Sequence, residues 1–386
     1  MKFLHTSDLQ LGRPFSHVED AAAREKLRSA RIDVLDTLGC VATENDCSAV
    51  LVAGDLFDST FPDNRTVVSA MVSIRNAGLP FYVIPGNHDN AGSGGFWEQD
   101  FFLAEAKKTP NFHLLNQQKP VVLADAVLFP CPLFRKQDSN DVLAWLQRDN
   151  LTDGLPADRP WIMLAHGAVH GFDSDASDED DRGGPSNLLD LTAVDAAIRP
   201  DYIALGDWHG QKQVDAHAWY SGTPEPDRFP KGGSYTAGKA LVIDIPSRGS
   251  VPTVTPVETG RVRWTELPEQ FLTGQDSINA LEAQTNILLQ DRNQADSLKL
   301  SLKGSLSFEE RKSLDSLLEH LKSATLRFKV SDDIAVHYSQ EEISALKDRM
   351  NDPLIATVAK ELMDDAETGD ETAMMALRIL YGLVNK

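Results

Sequence analysis

The sequence predicts an α/β fold: a two-sheet sandwich flanked by helices, then a small α/β cap module and a C-terminal helix-loop-helix. Three observations carry that expectation. Short apolar runs end repeatedly in glycine or a polar residue and alternate with stretches of helical period, the order of a parallel βαβ core with right-handed crossovers. From about residue 213 the pattern changes to short strands separated by turn residues, which reads as a second sheet. Beyond residue 274, helical periods alternate with strictly alternating strands. The expected divisions are 1–270, 271–332 and 333–386.

Residues 49–52 are the centre of the first part, a continuous apolar run that breaks at Gly54 and Asp55. Strands buried on both faces have that character, and ligands of open α/β sheets gather beyond the carboxyl ends of such strands. The same design recurs at 3–10, 81–89, 162–167 and 202–210. Side by side, these strand ends would converge on Asp55. Between them, 18–43 and 64–76 have helical periodicity, the first with an apolar face of Leu27, Ile32, Val34, Leu35 and Leu38. Residues 90–95 are a glycine-rich loop, and Phe96, Trp97, Phe101 and Phe102 pack beneath it or wall a groove. Short strands are expected at 112–115, 121–123 and 127–129, and helices at 141–148 and 187–198. The acidic run from Asp173 to Asp181 reads as a solvated loop. Residues 235–245 and 251–257 form a hairpin of the second sheet.

Residues 267–274 read as a linker. Helices at 278–289 and 308–321 then flank strands at 298–303 and 326–330. Alternation turns Leu298, Leu300, Leu302, Leu326, Phe328 and Val330 inward and Lys299, Lys303, Arg327 and Lys329 outward, a basic face in an acidic chain. Near the C-terminus, Asp352 caps a helix with Pro353 at its first position. Leu354, Ile355, Val358 and Leu362 form one stripe; after Gly369, Ala373, Met374, Leu377, Leu380 and Val384 form another.

The 386 residues carry a formal charge of −21, which argues against a protein that coats nucleic acid by bulk attraction. It suits carboxylates that hold divalent ions. No run approaches the ~18 apolar residues of a membrane helix, and the chain enters a strand at once without a signal peptide. Cys40, Cys47 and Cys131 lack zinc spacing and leave an odd thiol, in keeping with a reducing cytoplasm.

The strand ends supply Asp, Asn, Gln and His, the donors of a two-ion phosphate site. Two divalent ions about 3.5–4 Å apart can clamp a phosphate, activate water and stabilise the leaving oxygen. Asp55 is the bridging carboxylate. Asp8, Gln10 and His209 can complete one ion, and Asn87, His166 and Asp207 the other. His88, beside Asn87, is free to face the phosphate. Asp58 and Asp89 read as loop caps or supporting groups, and His5, on a strand, as a packed or supporting histidine. His170, four residues after His166, lacks the helical context of a ligand pair. His17, His113, His217, His320 and His337 lack a motif.

In the stretches 5–12, 54–58, 86–89, 166–167 and 205–209 the chain resembles the calcineurin-like metallophosphoesterases. It is most similar to the nuclease subunits of the bacterial SbcCD complex and their archaeal and eukaryotic counterparts. The resemblance implies two manganese ions, hydrolysis of DNA phosphodiester bonds, and an SbcC-like ATPase partner with a long coiled coil. By position it implies ligand roles for Asp8, Asp55, Asn87, His166 and His209 and a catalytic role for His88. Gln10 and Asp207 stand where the family usually has histidine. A glutamine oxygen is a weaker, neutral donor, whereas aspartate favours Mn²⁺ or Mg²⁺ over Zn²⁺.

The leading expectation is therefore a cytoplasmic Mn²⁺-dependent DNA nuclease subunit. The basic face is its candidate DNA contact, the C-terminal helices are its candidate dock for the ATPase, and a homodimer is left open. The alternatives are a phosphatase or phosphodiesterase acting on nucleotides or other small molecules, and a weakly active scaffold for an ATPase.

Overall fold

The computed structural model describes residues 1–137, 141–169, 187–230, 235–290, 292, 294–337, 346–347, 352–368 and 370–384. The acidic run at 173–181, His170 and Gly369 lie outside the described residues. The chain divides into two compact units, Met1–Trp264 and Thr265–Lys386.

In chain order the first unit contains β1 (Lys2–Thr6), α1 (Ala21–Glu44), β2 (Val50–Ala53), α2 (Asn64–Ala77), β3 (Phe81–Ile84), α3 (Asp100–Lys107), β4 (Phe112–Leu114), β5 (Val121–Val122), β6 (Val127–Cys131), β7 (Trp161–His166), β8 (Ala168–Val169), β9 (Leu188–Leu189), α4 (Leu191–Ala197), β10 (Tyr202–Gly206), β11 (Lys212–Gln213), β12 (Ala218–Tyr220), β13 (Lys239–Asp244) and β14 (Thr253–Glu258). Its first sheet has the order β14-β13-β1-β2-β3-β4 and its second β11-β12-β10-β7-β6-β5. Strands β1 to β4 run parallel, as do β6, β7, β10 and β12.

This arrangement corrects two expectations. The site strands do not share one sheet: β1, β2 and β3 lie in the first, β7 and β10 in the second. The hairpin of β13 and β14 extends the first sheet, because β13 pairs antiparallel with β1 from Lys2↔Asp244 to His5↔Leu241. A hairpin's local pattern sets its own register but not which open edge it covers.

Period-2 alternation places each strand in two cores. From β2, Val50 and Val52 pack under α1 and α2 with Val34, Leu35, Leu38, Met71 and Ile74. Leu51 and Ala53 face the opposite way, between the sheets, against Ile162, Leu164 and Ala204. The other face of the second sheet buries Met163, Ala165 and Leu205 with Trp145 and Val194. Asp20 and Asp63 cap α1 and α2 by accepting backbone hydrogen bonds, and Gly78 closes α2 at φ 70°. Phe96, Trp97 and Phe102 are buried beneath the loop at 90–95. Two expected helices are shorter. Only a 3₁₀ turn, Ala144–Gln147, forms within 141–148, and 187–198 opens with β9 before Asp190 caps α4.

The second unit carries β15 (Trp264–Glu266), which begins at the boundary, β16 (Gln270–Leu272), α5 (Gln275–Leu289), β17 (Ser297–Ser307), α6 (Phe308–Ala324), β18 (Arg327–His337), α7 (Pro353–Glu367) and α8 (Glu371–Val384). The expected linker contains β16, which pairs parallel with β17 at Gln270↔Leu302. Leu298, Leu300, Leu302 and Leu306 of β17 pack with Leu314, Leu317 and Leu321 of α6. Val330 departs from its expected inward position and is 37% exposed, on a strand that lies at the sheet edge and is paired, among the described residues, with β17 alone. Helices α7 and α8 pack on each other through Ala359 and Leu377, leaving Leu354, Val358, Met375, Ile379 and Leu383 exposed. Asp352 precedes Pro353 as expected, but its side chain makes no cap hydrogen bond. Among the described residues, no helix is long and apolar enough to cross a membrane.

Candidate metal centre

The two sheets stack with the carboxyl ends of β1, β2, β3, β7 and β10 together. The Asp8 amide donates to Gly54 O at 3.1 Å and the Gln10 amide to Asp55 O at 2.9 Å, so the loops after β1 and β2 run on as a pair. Asp8, Gln10, Asp55 and Asp207 all adopt positive φ, at 54°, 42°, 55° and 98°. Each such residue costs about 1–3 kcal/mol and persists where its surroundings over-determine it, commonly at functional sites. Two glycines make room. A Cβ on Gly54 would lie 2.2 Å from His166 Nδ1, and one on Gly86 would lie 2.1 Å from Asp55 Oδ1.

One set of polar side chains is tightly gathered. His166 Nε2 lies 3.3 Å from Asn87 Oδ1, 3.6 Å from Asp55 Oδ1 and 3.7 Å from Asp207 Oδ1. Its Nδ1 sits 2.8 Å from Ala53 O, a partner that can only accept, so Nδ1 carries a proton and Nε2 is the nitrogen that faces the carboxylates. Asp8, Asp55 and His166 each bring a ligand atom within 4.8 Å of the others. On the far side of Asp8, His209 Nε2 lies 3.9 Å from Asp8 Oδ1 and 3.3 Å from Gln10 Nε2. His88 stands at the edge. Its backbone N–H donates to Asp55 Oδ1 at 2.9 Å, and its Nδ1 lies 3.0 Å from Asp58 O.

The electrostatics match a cation site. Burial alone would lower the His166 pKa, but Asp55, Asp8 and Asp207 outweigh it and raise it to about 9. Burial and the neighbouring Asp8 and Asp55 push Asp207 up to about 6, although His166 opposes them. Asp55 stays below its ordinary value: burial resists its charge, but His166 and His88 outweigh burial. Asp89 is pushed up to about 7 by burial and by Asp55. Its carboxylate accepts from the Gly86 and Phe57 amides, stapling two site loops together.

Several important groups escape sequence reasoning. Arg31, 1% exposed, donates to Leu9 O, Asp8 O, Glu225 O and Thr223 Oγ1 and so pins the Asp8 loop from α1. A signal existed, since Arg31 interrupts the apolar stripe between Leu27 and Val34. Asp227 lies 3.6 Å from His209 Nδ1 and pairs with Arg228 at 2.8 Å and Arg13 at 3.4 Å. Burial opposes its charge, but the His209 hydrogen bond and the charges of Arg13, His209 and Arg31 drive its pKa well below the carboxylate range. Asp227, Arg228 and Arg13 had no comparable signal. In the second unit, Lys299 pairs with Glu266 at 2.7 Å and Lys303 with Glu269 at 2.8 Å. Lys329 stands level with Lys299 across the β17–β18 pair.

Asp55, Asn87, His166 and Asp207 could hold a divalent ion, since His166 Nε2 faces an oxygen of each of the other three, with Asn87 Nδ2 also donating to Asp207 Oδ1 at 3.4 Å. Asp8 and His209 can contribute to a second ion, with Gln10 beside them. Fold and site together bring a cluster of residues that could hold divalent ions to the ends of two stacked sheets. The calcineurin-like phosphoesterase pattern matches residues 1–211, and the chain belongs to that family. It is 27% identical over 259 residues to the SbcD component of the nuclease SbcCD from Escherichia coli strain K12, covering 59% of this chain and 62% of that one. The Bacillus subtilis strain 168 protein of the same name is 26% identical over 291 residues, 68% of this chain and 72% of that one. "DNA double-strand break repair protein Mre11" of Saccharolobus solfataricus is 26% identical over 191 residues. The chain thus spans about half the length of this last relative, 47%, and less than two thirds of the Escherichia coli protein. A crystal structure of a Thermus thermophilus protein aligns over 67% of this chain at TM-score 0.41 and 12% identity.

Proposed function

We propose that the chain is a Mn²⁺-dependent DNA nuclease subunit that hydrolyses phosphodiester bonds and works with an SbcC-like ATPase. The observation that carries this reading is the gathering of Asp55, Asn87, His166 and Asp207 around one point, with His88 at its rim. The names of the relatives supply the substrate and the partner. Asp55, Asn87, His166 and Asp207 would hold one ion and Asp8, Asp55 and His209 the other, with Gln10 as the remaining candidate ligand. Bound there, divalent ions would supply positive charge to the phosphate and activate water. His88, with Nδ1 held by Asp58 O at 3.0 Å and the Asp58 carboxylate 3.9 Å from that same nitrogen, keeps Nε2 for the leaving oxygen. Lys299, Lys303, Arg327 and Lys329 are the proposed DNA contacts and α7 with α8 the proposed ATPase dock. The proposed divisions are 1–270, 271–332 and 333–386.

The acid partners of Lys299 and Lys303 favour a second reading, a phosphodiesterase for nucleotides or other small molecules. The test is purified protein with Mn²⁺ or Mg²⁺, offered labelled single- and double-stranded DNA beside bis(p-nitrophenyl) phosphate. Mn²⁺-dependent DNA cleavage that a chelator abolishes supports the nuclease. Hydrolysis of the small ester alone would favour the second reading, and inactivity on every substrate would favour a scaffold.

A further inference from the structure

Gln10 is buried at positive φ, and its side chain does not offer its oxygen to His209. Arg13 Nη1 donates to Gln10 Oε1. A guanidinium has only donors, so it can face only the carbonyl end of the amide. The NH₂ end therefore turns toward His209, nitrogen to nitrogen at 3.3 Å. An amide NH₂ has no free lone pair for a cation.

Arg13 is itself fastened. It lies 3.4 Å from Asp227, which is fully buried at its side chain, and 3.6 Å from Asp58, with 13% of its own side chain exposed. The first subsite thus keeps Asp8, the shared Asp55 and His209, with a fixed positive charge beside it. The second has two carboxylates, an amide oxygen and an imidazole. Asp207 there adds a hard anionic donor.

Resting on the two-ion reading above, we propose that the ion sites are unequal because of one positioning residue. Arg13 holds the Gln10 oxygen away from the first ion, leaving that site weak, while the Asp55–Asn87–His166–Asp207 site is tight. Supporting groups that orient metal ligands typically change affinity about 10–100-fold, and the gap between the two sites should fall in that range.

The test is calorimetric titration of the full chain with Mn²⁺, with bound ions counted by elemental analysis after dialysis. Wild type should show one tight ion and one about 10–100-fold weaker. Arg13→Met should free the amide and tighten only the weak ion. In a Gln10→Ala background the same change should bring no gain. A full gain in that background would mean that Arg13 acts through charge alone and would overturn the proposal. If Arg13→Met does not fold by circular dichroism, Gln10→His decides: a tightened weak ion supports the proposal, and an unchanged gap overturns it. Two equal ions in wild type would overturn this inference and leave the two-ion reading standing. No bound ion at all would overturn both.

Discussion

His88 and His166 both approach Asp55 Oδ1, yet their surroundings separate their proposed roles. His166 is enclosed by acceptors, whereas His88 touches Asp55 only through its backbone and is 17% exposed at its side chain. His88→Ala should therefore retain the ions. It should lower turnover by ~10²–10⁴-fold, the usual contribution of a positioned acid or base. Loss of the ions, or cleavage at the wild-type rate, would show the assignment to be wrong. His166 makes a prediction about pH. In the metal-free chain its pKa is raised from 6.5 to about 9, so the bound proton stabilises the fold fully below about 6.5 and this contribution fades as pH climbs through about 9. Metal binding has the opposite dependence, because the ion must displace that proton. Between about pH 6 and 9, Mn²⁺ affinity should rise about tenfold per pH unit. Below about 6 it should rise more steeply with pH, as Asp207 also releases a proton. Affinity that does not change with pH over this range would exclude His166 as a ligand.

At the level of elements, α7 and α8 pose the clearest question. Their facing sides meet at Ala359 and Leu377, and Tyr381 stacks edge-on against Phe308 at 5.2 Å. Leu354, Met375, Ile379 and Leu383 are between 55% and 73% exposed. Amphipathic helices commonly bind by laying such a face into a partner's groove. Removing the chain after residue 350 should leave a folded, metal-binding protein that no longer co-purifies with the ATPase. Aggregation, or a lost metal site, would instead make these helices part of the core.

Over the whole molecule, the charge of −21 opposes nucleic acid, so any DNA contact must be local. Lys299 and Lys303 already have acid partners, and a phosphate would have to compete with Glu266 and Glu269. If the basic face binds DNA, Lys303→Glu with Lys329→Glu should weaken duplex binding and reduce the logarithmic salt slope by ~0.9 for each lost contact. Hydrolysis of a small phosphodiester should be spared. An unchanged salt slope would remove the face from the DNA path, and equal loss on both substrates would point to misfolding.

The one expected helix cap, Asp352, makes no cap hydrogen bond, but strand ends and the polar residues gathered at them, Asp8, Asp55, Asn87, His166, Asp207 and His209, were legible in the chain. Each depends on a short local pattern: an apolar run, a glycine that leaves room, and a polar residue at the turn. Helix α2 and strand β3 stand within a residue of their expected limits for the same reason. Membership of the two sheets was not legible, because local alternation does not say which edge a hairpin covers. The surroundings of Gln10 were hidden too. Arg13 is three residues away, but the Asp227 that fastens it comes from another part of the chain. A residue type proposes a ligand; which of its atoms faces the ion depends on distant partners brought close by packing. That is why an amide readable as a metal donor in the chain is, in the folded protein, turned toward an arginine.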